Sequence, residues 1–190
     1  MKRAIYLLIL LLPTFSSAFD LDIEARGAWL IPKSGTMRKT YGKGFPEYAL
    51  ELGIPLNQCL TVFSNVSYYE KEGHSPLSHR TSVENWALTF GGKYYFKPYC
   101  LYRPYIGLGG GGAHIKFFDR SPFVKGHIDR FGLSFIAKIG TEICFSRYLY
   151  VDLFADYSGY FYSFKSRSGT GGHRLNAGGA KAGAALGIRF

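Results

Sequence analysis

No stretch of the 190 residues approaches the roughly twenty consecutive apolar positions that a membrane-spanning helix needs. Mean hydropathy is close to zero, so no helical membrane protein is concealed in the composition. Cysteine is scarce, with three residues and no paired CxxC spacing, which argues against a zinc site. Acidic residues are also scarce: 13 against 23 Lys and Arg, for a formal charge of +10. What is abundant is 16 Phe, 15 Tyr and 24 Gly, a mixture that suits strands and tight turns better than helices.

The N-terminus has the grammar of an export signal. Lys2 and Arg3 form a basic start, Ala4 to Leu12 a nine-residue apolar core, and Ser16, Ser17 and Ala18 a small-residue cleavage pattern before Phe19. The expectation is a cleaved signal over 1–18 and one domain over 19–190, whose membrane residence must come from strands.

Period-two alternation recurs along that domain. Asp22, Glu24 and Arg26 alternate with Ile23, Ala25 and Gly27; Glu47 and Glu51 alternate with Tyr48, Leu50 and Leu52. Only Asn57 and Gln58 separate the second strand from a third, in which Leu60, Val62 and Val66 oppose Thr61 and Asn65. Further strands are expected near 83–96, 104–117, 131–145, 149–157 and 174–190, with the facing of the fifth left open by its glycine run. Short connections fall near 57–58, 97–103 and 146–148, and long ones near 32–44, 70–82, 118–130 and 163–173. Alternating short turns and long loops on eight strands predict an all-β, antiparallel, up-and-down transmembrane barrel.

The polar face separates this from a soluble barrel. It mixes Gly, Ala and Ser with Glu24, Arg26, Glu47, Glu51, Lys93, Lys138, Glu142, Asp152, Asp156 and Lys181, six acids and four bases. A narrow lumen needs small side chains and mutual pairing, because an unpaired buried charge is very costly. The other face carries bulky aliphatics, with Tyr and Trp toward the strand ends. A solvated exterior would carry many more Lys and Glu.

The final strand alternates Ala184, Leu186, Ile188 and Phe190 and closes on phenylalanine. Leu186, Ile188 and Phe190 resemble the C-terminal signal that outer-membrane assembly machinery reads. With "LTFGGKYYF" (88–96), "RPYIGLGGGGAHIKF" (103–117) and "GAALGIRF" (183–190), the chain resembles the small eight-stranded outer-membrane barrels, the OmpA/OmpX/OmpW-like and opacity-like surface antigens. That resemblance implies a fold and a location far more than an activity.

Motifs for chemistry are weak. Gly107, Gly109 and Gly112 satisfy GxGxxG, but within a strand and with no helix following, so close packing is the better account. Lipid A deacylases, also eight-stranded barrels, carry His-x-Ser-Asn; His173-Arg174-Leu175-Asn176 has Leu175 in place of the nucleophile. His114, Asp119, His127 and Asp129 are candidates for the loop rim, where barrel enzymes place catalytic groups. No catalytic residue, metal or cofactor is assigned.

Cys59, Cys100 and Cys144 sit at or beside the short turns. An odd number leaves one thiol unpaired or available to another envelope protein, and a disulfide at the periplasmic rim stands beside small-residue packing as an alternative. The long loops are basic: Lys33, Arg38, Lys39 and Lys43 in 32–44, and Lys165, Arg167 and Arg174 in 163–174, without an acid in either stretch. The expectation is a non-catalytic barrel with a structural and surface-interaction role. Its partners would be lipopolysaccharide and the barrel assembly machinery, or acidic polymers of a host surface, and not nucleic acid. The alternatives are an adhesin, a lipid A-modifying enzyme, or a narrow conduit for small apolar molecules.

Overall fold

The period-two segments do form strands, and the polar-in, apolar-out alternation closes them into a barrel. The structure, a computed structural model, describes residues 20–74, 80–96, 101–119, 127–164 and 173–190; the side chains of Asp119, His127, Phe164, His173 and Arg174 are outside that description. The expected signal over 1–18 therefore lies outside the described residues, with Cys100, Lys165 and Arg167.

Among the described residues the strands are β1 (Asp22–Pro32), β2 (Phe45–Pro55), β3 (Leu60–His74), β4 (Arg80–Tyr95), β5 (Tyr102–Asp119), β6 (His127–Cys144), β7 (Leu149–Phe164), β8 (His173–Asn176) and β9 (Gly179–Arg189), with one helix, α1 (Gly35–Tyr41). Sequential neighbours pair antiparallel, and β6–β7, β7–β9 and β9–β1 close the sheet. β8 and β9 are two halves of one strand. Both pair with β7 in a single register, Phe161 with Asn176 and Ser158 with Gly179, on either side of a break at Ala177 and Gly178. The barrel thus has eight strands.

Following one row of paired residues around the barrel fixes its geometry. The row passes from Pro32 through Gly179, Ser158, Ile136, Gly109, Gly91, Phe63 and Gly53 to Asp22, ten residues from its start on the same strand. A shear of ten on eight strands requires a tilt of about 40°. Each row therefore spirals from one rim toward the other.

Two of the short turns share one device. Asn57 Oδ1 accepts from the backbone N–H groups of Cys59 and Leu60, both at 2.9 Å, and Ser146 Oγ accepts from Tyr148 at 3.2 Å and Leu149 at 3.0 Å. In each case a side-chain oxygen takes the place of a backbone acceptor and pins the reversal.

Three expectations about the connections are corrected. Strands extend into 70–82 and 118–130 from both sides: β3 runs to His74, β4 begins at Arg80, β5 runs to Asp119 and β6 begins at His127. Glu70 and Glu72 there are outward strand residues, and their polarity imitates a loop. The 32–44 connection stands as expected and carries a helix, because Ser34 caps α1 through a 3.4 Å bond from Met37 N. Arg103, expected in a turn, lies on β5 and faces the lumen.

The outward side chains make an apolar band, from Leu50, Leu52 and Val66 through Leu88 and Phe90 to Leu108, Leu133 and Leu153. Aromatics border it at both ends: Trp29, Tyr48, Trp86 and Phe131 toward the loops, and Tyr94, Phe96, Tyr102, Phe145 and Tyr148 toward the turns. From Trp86 to Tyr94 is about 27 Å of strand and, at that tilt, about 20 Å of height, close to the band of a bilayer-crossing barrel.

Candidate functional site

The lumen is stratified. At the turn end Arg189 donates to Asp22 at 2.7 Å and to Glu142 at 3.3 Å, and Arg103 pairs with Glu142 at 3.1 Å. Above this level Arg26 reaches four carboxylates: Glu24 at 2.9 Å, Asp156 at 3.1 Å, Asp152 at 3.3 Å and Glu51 at 3.5 Å. Lys93 bridges Glu24 at 2.7 Å and Glu51 at 2.6 Å, and Lys138 meets Glu51 at 2.7 Å. Higher again, Lys181 pairs with Glu47. All ten charged residues expected on the polar face are buried and in this network.

Sequence reasoning left out of that network Asp22, Arg103, Arg189 and a set of tyrosines. Tyr105 donates to Asp152 at 2.7 Å, Tyr150 to Glu24 at 3.1 Å and Tyr160 to Glu47 at 3.3 Å; Tyr95 bonds Glu142. Strand parity alone would have placed Tyr95 inside, because it sits between the outward Tyr94 and Phe96. Tyrosine suits the lumen since its ring fills volume while its hydroxyl satisfies a carboxylate. Glycines make room for these rings. A Cβ at Gly140 would lie 2.6 Å from Tyr105 Oη, and one at Gly109 would lie 2.9 Å from Phe63 Cζ. This is the role of the GxGxxG stretch: Gly109 faces inward beside the Phe63 ring, within β5.

The network is tightly filled. The cavity beside Arg26, Asp156 and Lys181 measures about 10 Å³, room for about one water, and Asp156 Oδ1 has no hydrogen-bond partner.

Toward the loop end the lumen turns apolar. Leu30, Phe45, Tyr69, Val83, Ile115, Tyr160 and Tyr162 form one cluster with Met37 and Tyr41 of α1. The Tyr41 hydroxyl is 3.2 Å from Thr81 Oγ1, and a Cβ at Gly73 would strike Thr40 O at 2.2 Å, so the helix lies directly on β3. Nothing in the local sequence of 32–44 signals this plug, whose cause is the apolar content of the upper lumen. With Met37 and Tyr41 buried, Lys33, Arg38, Lys39 and Lys43 are all exposed.

The remaining candidates are placed as follows. Leu175 packs against the apolar plug, and Asn176 Oδ1 accepts from Tyr160 N at 3.2 Å and Gly178 N at 2.9 Å, bridging the strand break. Asn176 is thus accounted for by backbone satisfaction. His114 bonds Asp129 on the outer face, with the Phe131 ring 4.4 Å from the imidazole. Cys59 and Cys144 are partly exposed free thiols at the turn end. Leu186, Ile188 and Phe190 point outward, and Phe190 N bonds Leu21 O at 3.0 Å. The described residues hold no cluster of three or more metal-ligating side chains.

No protein-family model matches the sequence, and no curated protein matches it. Solved structures do match in fold. Neisserial surface protein A superposes with a TM-score of 0.63 at 13% identity, over 90% of this chain and 97% of its own. The outer membrane protein OprG of Pseudomonas aeruginosa gives 0.62 at 15%, over 91% and 96%. The attachment invasion locus protein Ail of Yersinia pestis, in complex with the heparin analogue sucrose octasulfate, gives 0.56 at 15%, over 90% and 99%.

Proposed function

We propose that this chain, which has the fold of the small eight-stranded outer-membrane barrels, is a non-catalytic bacterial outer-membrane protein. Its turn end faces the periplasm and its loop end faces outward. In this reading the lumen is sealed and the working surface is α1, a rigid basic platform for the phosphate groups of lipopolysaccharide in the same leaflet. The observation that carries the reading is the mounting of that helix. Met37 and Tyr41 anchor it in the apolar plug, while Lys33, Arg38, Lys39 and Lys43 stay exposed in a stretch without any acid. Cations fixed on a packed element lose less conformational freedom on binding than cations on a loose loop.

A sealed lumen weighs against the conduit alternative, since the ion-pair layer and the aromatic plug lie in series. Leu175 in the plug weighs against deacylase chemistry. A second reading, contact with sulfated polymers of another surface, is supported by the same four cations and by the heparin analogue bound to a barrel of this fold.

The test is the triple substitution R38E/K39E/K43E in the refolded barrel, with binding measured to lipopolysaccharide and to a sulfated polysaccharide. Loss of at least about ten-fold in affinity is expected, shrinking as salt rises. Unchanged affinity for both ligands would remove the platform. Loss toward the polysaccharide alone would transfer the role to the second reading.

A further inference from the structure

A groove lies on the outer wall of the barrel. It measures about 510 Å³ and spans β1, β9, β7 and β6. One register row there reads Trp29, Ala182, Ala155, Ile139, and the row above it reads Ile31, Ala180, Tyr157, Ala137. Alanines form the floor, while Trp29 and Ile31 stand on one side and Ile139 and Tyr157 on the other.

Two features say what occupies it. The first is direction. Continued past Ile139, the lower row passes Ile106 to Tyr94 and Leu60 at the turn end, so the row descends obliquely from the loop-end girdle at Trp29. With a strand tilt of about 40°, the groove leads from the bilayer boundary into the hydrocarbon layer, as a lipid tail does. The second is charge. Lys33 shares the outward parity of Trp29 and Ile31, is exposed, and stands at the groove's upper end, where its backbone N bonds Gly178 O at 2.9 Å. A lipid whose tail lies in the groove brings its headgroup to that ammonium.

We propose that this groove is a selective site for one acyl chain of a phosphate-bearing lipid of the outer leaflet, with Lys33 receiving the phosphate. The inference rests on the membrane reading above and shares Lys33, but no other residue, with the α1 platform. Alanine floors let a chain approach the backbone closely, so that contact is made on three sides instead of one. The Lys33 charge then selects phosphate-bearing anionic lipids over neutral ones.

The chain's two tryptophans make the test direct. Trp29 borders the groove, and Trp86 belongs to the same girdle on β4. Single-tryptophan barrels, W86F and W29F, are folded into neutral phosphatidylcholine vesicles containing a small fraction of phosphatidic acid with brominated tails, and quenching is recorded. Quenching of Trp29 is expected to correspond to a local enrichment of about five-fold over the bulk fraction, while Trp86 reports the bulk fraction. K33E and A182F, each in the W86F background, should return Trp29 to the bulk value.

Equal quenching of both tryptophans at the bulk fraction would overturn the site. So would Trp29 remaining unquenched in fully brominated vesicles while Trp86 is quenched, because a second copy of the chain would then cover the groove. Absence of quenching at both positions in fully brominated vesicles would instead overturn the membrane reading on which the site depends.

Discussion

Arg26 on β1 and Asp156 on β7 lie 130 residues apart in sequence and 3.1 Å apart in the lumen. The guanidinium also contacts Glu24, Asp152 and Glu51, and stacks 3.9 Å from the Phe154 ring centroid. Arg26 is therefore the hub on which the acidic surplus of the middle layer depends.

Replacing that hub should be the most damaging single change in the lumen. Arg26→Met leaves several carboxylates facing one another in a closed space, an expected loss of about 3–5 kcal/mol. Urea unfolding of the refolded barrel in detergent, followed by heat-modifiable gel mobility, measures it. A loss below about 1 kcal/mol would show that the carboxylates find other partners.

Phe63 and Gly109 form a size-matched pair. Gly109→Val should destabilise by about 1–3 kcal/mol, because the new side chain meets Phe63 and also the Phe90 carbonyl, 2.8 Å from its Cβ. Adding Phe63→Leu should recover part of the loss but not all, since the carbonyl cannot withdraw. Full recovery in the double variant would locate the clash entirely at the ring.

The α1 anchor separates local from global stability. Met37→Ala together with Tyr41→Ala removes two buried side chains from the plug and should cost about 4 kcal/mol or more in the loop-end cluster. Amide hydrogen exchange should rise in α1 and at the loop end of β3 while the turn end stays protected. Uniform protection across the barrel would mean that the helix is not held by these contacts.

Asn176 offers a test that divides structure from chemistry. Its side-chain oxygen accepts from Tyr160 N and Gly178 N. Asn176→Ala should cost about 1–3 kcal/mol, whereas Asn176→Asp, which keeps the acceptor, should be nearly neutral. Lipid A from cells expressing either variant should match the wild type by mass spectrometry, and a changed acyl pattern would revive the enzymatic reading.

Much of this architecture was legible from one rule. In a strand the facing of a side chain is set by its parity, so Glu24 and Arg26 could be placed inside, and Trp29 outside, without any knowledge of their neighbours. The charge balance of the lumen was legible for the same reason. The fifth strand was not, because Gly107 to Gly112 carry no side chains for parity to act on. The ends of β3 to β6 were missed because the exposed charges Glu70, Glu72 and Asp129 resemble loop residues once a strand has left the apolar band.

By itself, then, the sequence determined which side chains share a wall, how many strands exist, and that the lumen must pair its charges. Only the closed structure decided which charge meets which, since Arg26 and Asp156 come within reach through the closing pairings β1–β9 and β9–β7, which leave one strand between them. It also decided that 32–44 folds into the mouth. A seven-residue helix has too few hydrogen bonds to form alone, and Met37 and Tyr41 find apolar partners only after distant strands have built the cavity that receives them.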